Sequence, residues 1–223
     1  MKRLLFWLCW SGRDLRDRGL LVVAIAATIA MGTGMYAALE SMGSWRTNAS
    51  AQSLALLKAH DVRLYLADGS YASPEQLRAL VDRIPHASCV VDVEERLVLS
   101  TRVDASVGGQ TIVVPGQLVG MATGDPSVDA LQIRNGRGLA PTDDGQPVAE
   151  LEYHFATHYG LPVPGSVKVG DNQALTVVGD ALSPDYLMVI SPSGDFMAEA
   201  NYAVVFVPLQ TAGELTGHAG EAN

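Results

Sequence analysis

Between Arg18 and Glu40 the chain carries no charge for 21 residues, Gly19 to Leu39, and that run constrains everything around it. A helix of that length spans about 31 Å, and the hydrocarbon core of a bilayer is about 30 Å thick. Its polar side chains are Thr28, Thr33 and Tyr36, whose hydroxyls bond within a helix or reach an interface. Core helices of soluble domains are rarely this long without a charge, so the run predicts a membrane span. A cleaved secretory leader is the rival. Its apolar region is usually about 7–15 residues, closely followed by a small-x-small cleavage site. Ala49-Ser50-Ala51 has the right residue types but lies ten residues beyond Leu39, after Glu40 and Arg46. The spacing favours an uncleaved transmembrane helix.

Charge divides around this run. Residues 1–18 hold Lys2, Arg3, Arg13, Arg16 and Arg18 against Asp14 and Asp17, a net of +3, whereas residues 40–223 carry a net of −12. Lys and Arg collect on the cytoplasmic flank of a span. The N-terminus is therefore expected in the cytoplasm and residues 40–223 outside. An acidic outer part excludes nucleic acid as a partner, since phosphate binding needs clustered Lys and Arg. With 48% hydrophobic residues, wholesale disorder is excluded too.

The head, residues 1–18, combines Leu4 to Trp10 with a charged stretch from Gly12 to Arg18. Trp beside Arg marks a helix lying in the membrane interface. Residues 3–16 are expected to form such an elbow, with Trp7, Trp10, Arg13, Arg16 and Arg18 at the interface. Within the span, Ala26, Ala30, Gly34 and Ala38 recur every four residues on one helix face. Small residues at that spacing admit a second helix at close range. No other run in the chain is long enough to span: Phe155–Val163 is broken by His158, Gly160 and Pro162, and Tyr202–Leu209 has the length of a strand. The partner helix is expected on another chain or in a segment beyond this one. Cys9 and Cys89 are expected on opposite sides of the membrane and unable to pair.

Residues 40–58 read as a helical stalk, residues 59–217 as an outer domain and residues 218–223 as a polar tail. Asp61–Ala67 alternates Val62, Leu64 and Leu66 with Arg63 and Tyr65 and predicts a strand. Pro74–Ile84 predicts a helix: Ser73 caps it, Gln76 completes a capping box, Leu77, Leu80, Val81 and Ile84 form a stripe, and Pro85 stops it. Ser88–Val93 and Leu97–Val103 predict two more strands, a ferredoxin-like βαβ opening. Residues 104–182 are mostly β. Thr111–Val114 and Gln117–Met121 flank an expected Pro115-Gly116 turn, and Val167–Val169 and Leu175–Val178 flank Gly170-Asp171-Asn172. A helix over Val148–Tyr159, closed by Gly160, interrupts this part. Tyr202–Val207 predicts a strand that rejoins the first sheet, and Leu209–Leu215 a short helix. The fold class is α/β (α+β), with an N-terminal transmembrane helix and a β-rich insertion.

Signatures of catalysis are sparse. The chain has no GxxxxGK[ST] phosphate loop, no GxSxG elbow and no HExxH. His154 and His158 are four apart on the expected helix, but zinc needs a third protein ligand, and two solvated helix histidines are the favoured description. Ser166 and Lys168 share a strand face, as a Ser–Lys dyad would, although Gly165 and Gly170 frame them as a hairpin. Arg137, in Gly136-Arg137-Gly138, is expected to anchor a carboxylate within the fold.

Several strings together carry a resemblance. Arg13-Asp14-Leu15-Arg16-Asp17-Arg18-Gly19-Leu20-Leu21, leading into an Ala-rich span, resembles the elbow that opens FtsX-like permeases of ABC transporters. Leu131 to Pro141, with Gly136-Arg137-Gly138, is similar to a segment of their MacB-like periplasmic core. So are Phe155 to Leu161 with Pro164-Gly165, and Thr176 to Tyr186 with Gly179 and Ser183-Pro184. Ser166 stands where the family often has Asp. The resemblance implies a permease subunit of a bacterial ABC transporter in the cell (inner) membrane. It implies no covalent chemistry and no cofactor in this chain, with ATP bound by a partner subunit. The implied partners are the lipid bilayer, that ATP-binding subunit, and further membrane helices from a C-terminal part or a second permease. Such permeases carry at least three more membrane helices after this domain, so the chain reads as the N-terminal portion of a longer protein. A single-pass anchored sensor or binding module is the alternative. An exported hydrolase would rest only on Ser166/Lys168 or His154/His158.

Overall fold

The structure is a computed structural model of all 223 residues, and it describes residues 7, 10, 12, 13, 15–186, 189 and 200–223. It divides into two compact units, residues 1–52 and 53–223.

In the first unit the expected span and stalk are one uninterrupted helix. Helix α1 runs Gly19–Leu56, 38 residues or about 57 Å, of which the uncharged run takes about 31 Å. No residue of α1 is buried. It is long and apolar enough to cross a membrane. Thr28 and Thr33 return their hydroxyls to the carbonyls of Ala24 and Ile29 at 2.9 and 2.8 Å, so the run leaves these donors satisfied inside the helix. Ahead of α1, Trp7, Trp10, Gly12, Arg13 and Leu15 to Asp17 are helical and exposed. The rest of the expected elbow, and Cys9, lie outside the described residues.

Among the described residues the second unit is built on seven strands: β1 (Leu97–Asp104), β2 (Val113–Met121), β3 (Gln132–Gly136), β4 (Val148–Glu152), β5 (Gly165–Val169), β6 (Gln173–Leu182) and β7 (Ala203–Pro208). Their order is β3-β6-β4-β7-β2-β1-β5, and β5 also pairs with β6. Six strands thus close into a ring, and β3 hangs on the far half of β6. Closure removes most open edges. The helices are α2 (Pro74–Val81), α3 (Tyr153–Tyr159) and α4 (Leu209–Thr216).

β7 lies at the centre, parallel to β2 and antiparallel to β4, and all six of its residues are buried. A strand covered on both faces reads as an unbroken apolar run, as Ala203 to Val207 does. Its side chains alternate between two cores. Ala203, Val205 and Val207 join Leu118, Leu151, Phe155 and Val177 on one side. Val204 and Phe206 join Val119, Met121 and Leu139 on the other.

Several local expectations are corrected. Asp61–Ala67 and Ser88–Val93 are not strands: Val62, Leu64 and Val91 are 75%, 67% and 99% exposed, with no neighbouring strand among the described residues to receive them. The βαβ arrangement lies further along instead, as β4, α3 and β6, with β4 and β6 parallel. Pro115-Gly116 is not a turn but part of β2. Gly116 faces Ala203, and a Cβ there would sit 2.3 Å from the Ala203 carbonyl oxygen, so glycine permits the close approach of β7. Pro115 lies one residue before that ladder begins, where a missing N–H is tolerated. The helix expected over Val148–Tyr159 begins only at Tyr153, because Glu152 is its N-cap and accepts the Phe155 N–H at 2.9 Å. Residues 148–152 are the inner strand β4, buried on both faces, so no alternation betrayed it. Helix α2 ends at Val81, three residues short of Ile84.

Other expectations hold. The Ser73–Gln76 capping box forms, Gly160 closes α3 in the left-handed region at φ 59°, and β5 and β6 form a hairpin across residues 170–172.

Candidate functional site

The polar centre of the second unit lies where the chain enters it from α1. Leu57 is buried, and Lys58 adopts φ 49°, which turns the backbone sharply out of the helix. The carbonyls of Leu57 and Lys58 then accept the N–H groups of Ala130 and Asp129, each at 2.8 Å. Lys58 Nζ donates to Asp125 Oδ1 at 2.8 Å and to the Pro126 carbonyl at 2.9 Å. The entry segment is thereby stitched to the loop between β2 and β3.

A buried ion network sits behind this stitch. His60 donates its backbone N–H to Asp129 Oδ1 at 2.9 Å, and its Nδ1 lies 2.9 Å from both Asp129 oxygens. Arg63 bonds to Asp185. Arg96, just before β1, reaches Asp185 at 3.3 Å and the Asp129 carbonyl at 2.9 Å, with Glu94 3.7 Å away. The side chains of Arg96, Asp129 and Asp185 are 8%, 6% and 5% exposed. Burial pushes the Glu94 carboxyl above its usual range, opposed by Arg96. The chain's exit meets the same point. The Asn223 N–H donates to the Arg96 carbonyl at 3.0 Å, and the Asn223 side chain pairs with both backbone groups of Val98.

His60, Asp129 and Asp185 present ligand atoms within 4.8 Å of one another, a geometry to be tested against a metal ion. The donor set does not fit one. Two guanidinium groups, charged at any physiological pH, already occupy Asp185, and a divalent cation would sit against both. The cluster is an ion network that ties chain entry, β1 and the loop after β6 together.

A second buried network lies across β3, β4 and β6. Glu150 is 1% exposed and accepts the Leu139 N–H. Burial pushes its carboxyl up to about 7, and neighbouring Asp180 adds to the effect. Asp180 accepts both its bonds from Asn135 Nδ2, at 3.0 and 2.8 Å. Arg137 forms the anchor expected of it: a two-pronged bond to Asp143, which holds that carboxyl below its usual range.

The other singled-out residues are dispersed. Trp7 and Trp10 meet edge to face at 5.9 Å, and both are exposed, as are Arg13, Arg16 and Arg18. Ala26, Ala30, Gly34 and Ala38 are exposed along α1, and a Cβ on Gly34 would meet nothing within 4 Å. His154 is not simply solvated, for its Nδ1 lies 2.6 Å from buried Glu152 Oε1. His158 packs edge to face on Tyr159. Ser166 and Lys168 are exposed on β5 and pair with Thr176 and Ala174, neither of them a catalytic base. The ion network itself escaped the sequence. Glu94-Glu95-Arg96 looks like a surface turn there, and no local spacing links Arg63 with Asp185, 122 positions away.

No protein of curated function matches the chain. The extracellular domain of the noncanonic ABC-type transporter YknZ from Gram-positive bacteria is 15% identical, with a TM-score of 0.47, over 70% of this chain and 71% of that one. The periplasmic region of MacB from Actinobacillus actinomycetemcomitans is 15% identical, with a TM-score of 0.44, over 68% of this chain and 61% of that one. The profile of the MacB-like periplasmic core domain matches residues 20–222, nearly the whole chain, and the chain belongs to that family.

Proposed function

We propose that the chain is the N-terminal portion of the permease subunit of a bacterial ABC transporter, and that it couples ATP hydrolysis in a partner subunit to work outside the membrane. The observation that carries this is the unbroken helix Gly19–Leu56. The helix continues about 25 Å past the uncharged run, as a stalk that carries displacement out of the membrane would. The N-terminus is cytoplasmic and residues 40–223 are extracytoplasmic. Trp7, Trp10, Arg13, Arg16 and Arg18 seat the elbow at the interface. Ala26, Ala30, Gly34 and Ala38 pack against membrane helices of the remaining permease or a second copy.

The experiment is co-purification of the full-length protein with an ATP-binding subunit, followed by ATPase measurement in nanodiscs. Copurification with activity that falls when Ala30 and Gly34 are both replaced by Leu is the expected result. A full-length protein that captures no ATP-binding subunit overturns the proposal.

A further inference from the structure

Residues 62–66 lie between the ion network and α2 and form neither helix nor strand. Arg63 Nη1 donates to the Tyr65 hydroxyl at 3.2 Å, and the guanidinium carbon is 5.5 Å from that ring's centre. Side chains two apart therefore share a side, as in an extended chain. Arg63 bonds to Asp185 and fixes the segment to the body of the domain. Val62, Leu64 and Tyr65 are 75%, 67% and 77% exposed. Among the described residues, no backbone N–H or C=O of residues 62–66 has a hydrogen-bonding partner. An anchored, extended, apolar segment with open backbone groups is a template for strand addition.

Charge identifies the partner. Asp61 and Asp68 bracket the segment, and both are exposed. If two copies paired antiparallel about Leu64 and Tyr65, Asp61 of each would stand opposite Asp68 of the other. Like charges directly opposite destabilise a strand pair. The rest of this arm is acidic as well: Glu75, Asp82 and Asp92 are exposed against Arg78 and Arg83, and Arg78 is engaged by Glu95 at 3.1 Å. We propose that residues 61–68 receive an added β-strand from a different protein, a segment with Lys or Arg at its two ends and apolar residues at alternate positions between them. This surface exists in the domain whatever moves α1, so its test stands apart from ATPase coupling.

The probe is a fluorescein-labelled eight-residue peptide with Lys at each end and alternating Val and Thr between, matching the span 61–68. Its anisotropy is followed against the full chain in an uncharged detergent. Saturable binding is expected, and the same peptide ending in Glu should not bind. Leu64→Pro, which removes a backbone N–H at an exposed position, should weaken binding by at least about tenfold. The double change Asp61→Lys/Asp68→Lys should reverse the preference between the two peptides. An unchanged circular dichroism spectrum shows that each variant keeps its fold. Absence of saturable binding, equal binding of both peptides, or indifference to Leu64→Pro overturns the proposal. So does a dimer of the chain that Leu64→Pro dissolves, because it assigns the segment to a second copy.

Discussion

Residues 61–67 and 97–103 carry similar patterns, with Val62, Leu64 and Leu66 in one and Leu97, Leu99 and Val103 in the other, yet only the second is a strand. Strand β1 has eight consecutive partners on β2 and two on β5, and Leu97 and Val103 are fully buried. Residues 61–67 have none among the described residues. The segment expected to return beside them begins instead with the 3-10 turn Ala87–Cys89, which His86 opens at φ 65°. Alternation makes a segment suitable for a sheet, but a strand exists only where another backbone lies about 4.8 Å away to take its hydrogen bonds. The ring of six strands meets that condition within itself, whereas residues 62–66 leave their backbone groups open.

The difference has a large energetic signature. Phe155→Ala, at a fully buried side chain, should cost about 4 kcal/mol in urea unfolding. Leu64→Ala should stay within about 0.5 kcal/mol. Similar costs for the two would erase the distinction between ring and arm.

Arg96 links the two regions, and Arg96→Met should cost about 3 kcal/mol because Asp185 and Asp129 remain buried without it. Adding Asp185→Leu should recover part of that loss. Strict additivity of the two changes would mean that the residues do not act as one network.

Within the ring, Glu150 makes stability depend on pH. An acid whose folded pKa exceeds its unfolded value keeps its proton longer in the folded state. Its contribution is fully present below about 4.5 and is lost as the pH rises to about 7. That interval corresponds to at most about 3 kcal/mol. Glu150→Gln should flatten this part of the stability profile and raise the melting temperature at pH 8. A difference between wild type and variant that does not change from pH 4 to pH 8 would contradict it.

The smallest effect belongs to the arm. Ser73→Ala removes the cap of α2 and should speed amide exchange in residues 77–81 by about 1 kcal/mol of local stability. The unfolding midpoint of the ring should not move.

Elements whose causes lie within a few residues were legible in the sequence. The uncharged run fixes a span-length helix, Ser73 and Gln76 fix the start of α2, Gly160 fixes the end of α3, and residues 170–172 fix the β5–β6 hairpin. Arg137 also found a carboxylate six positions away. Elements decided at long range were not. β4 resembled a helix because its polar groups are taken up elsewhere, Glu150 by Leu139 and Glu152 by the start of α3. Gly116 resembled a turn because nothing nearby announces that Ala203 presses against it.

The sequence by itself determined the partition of this protein into a basic head, an apolar helix and an acidic domain, because charge and hydropathy act on each segment wherever it folds. Only the tertiary structure decided which alternating segments became strands and which charged residues were buried together. Those outcomes depend on partners such as His60 and Asp129, 69 positions apart, or Arg63 and Asp185. A contact of that kind gains its strength from the low-dielectric site that the finished fold creates around it.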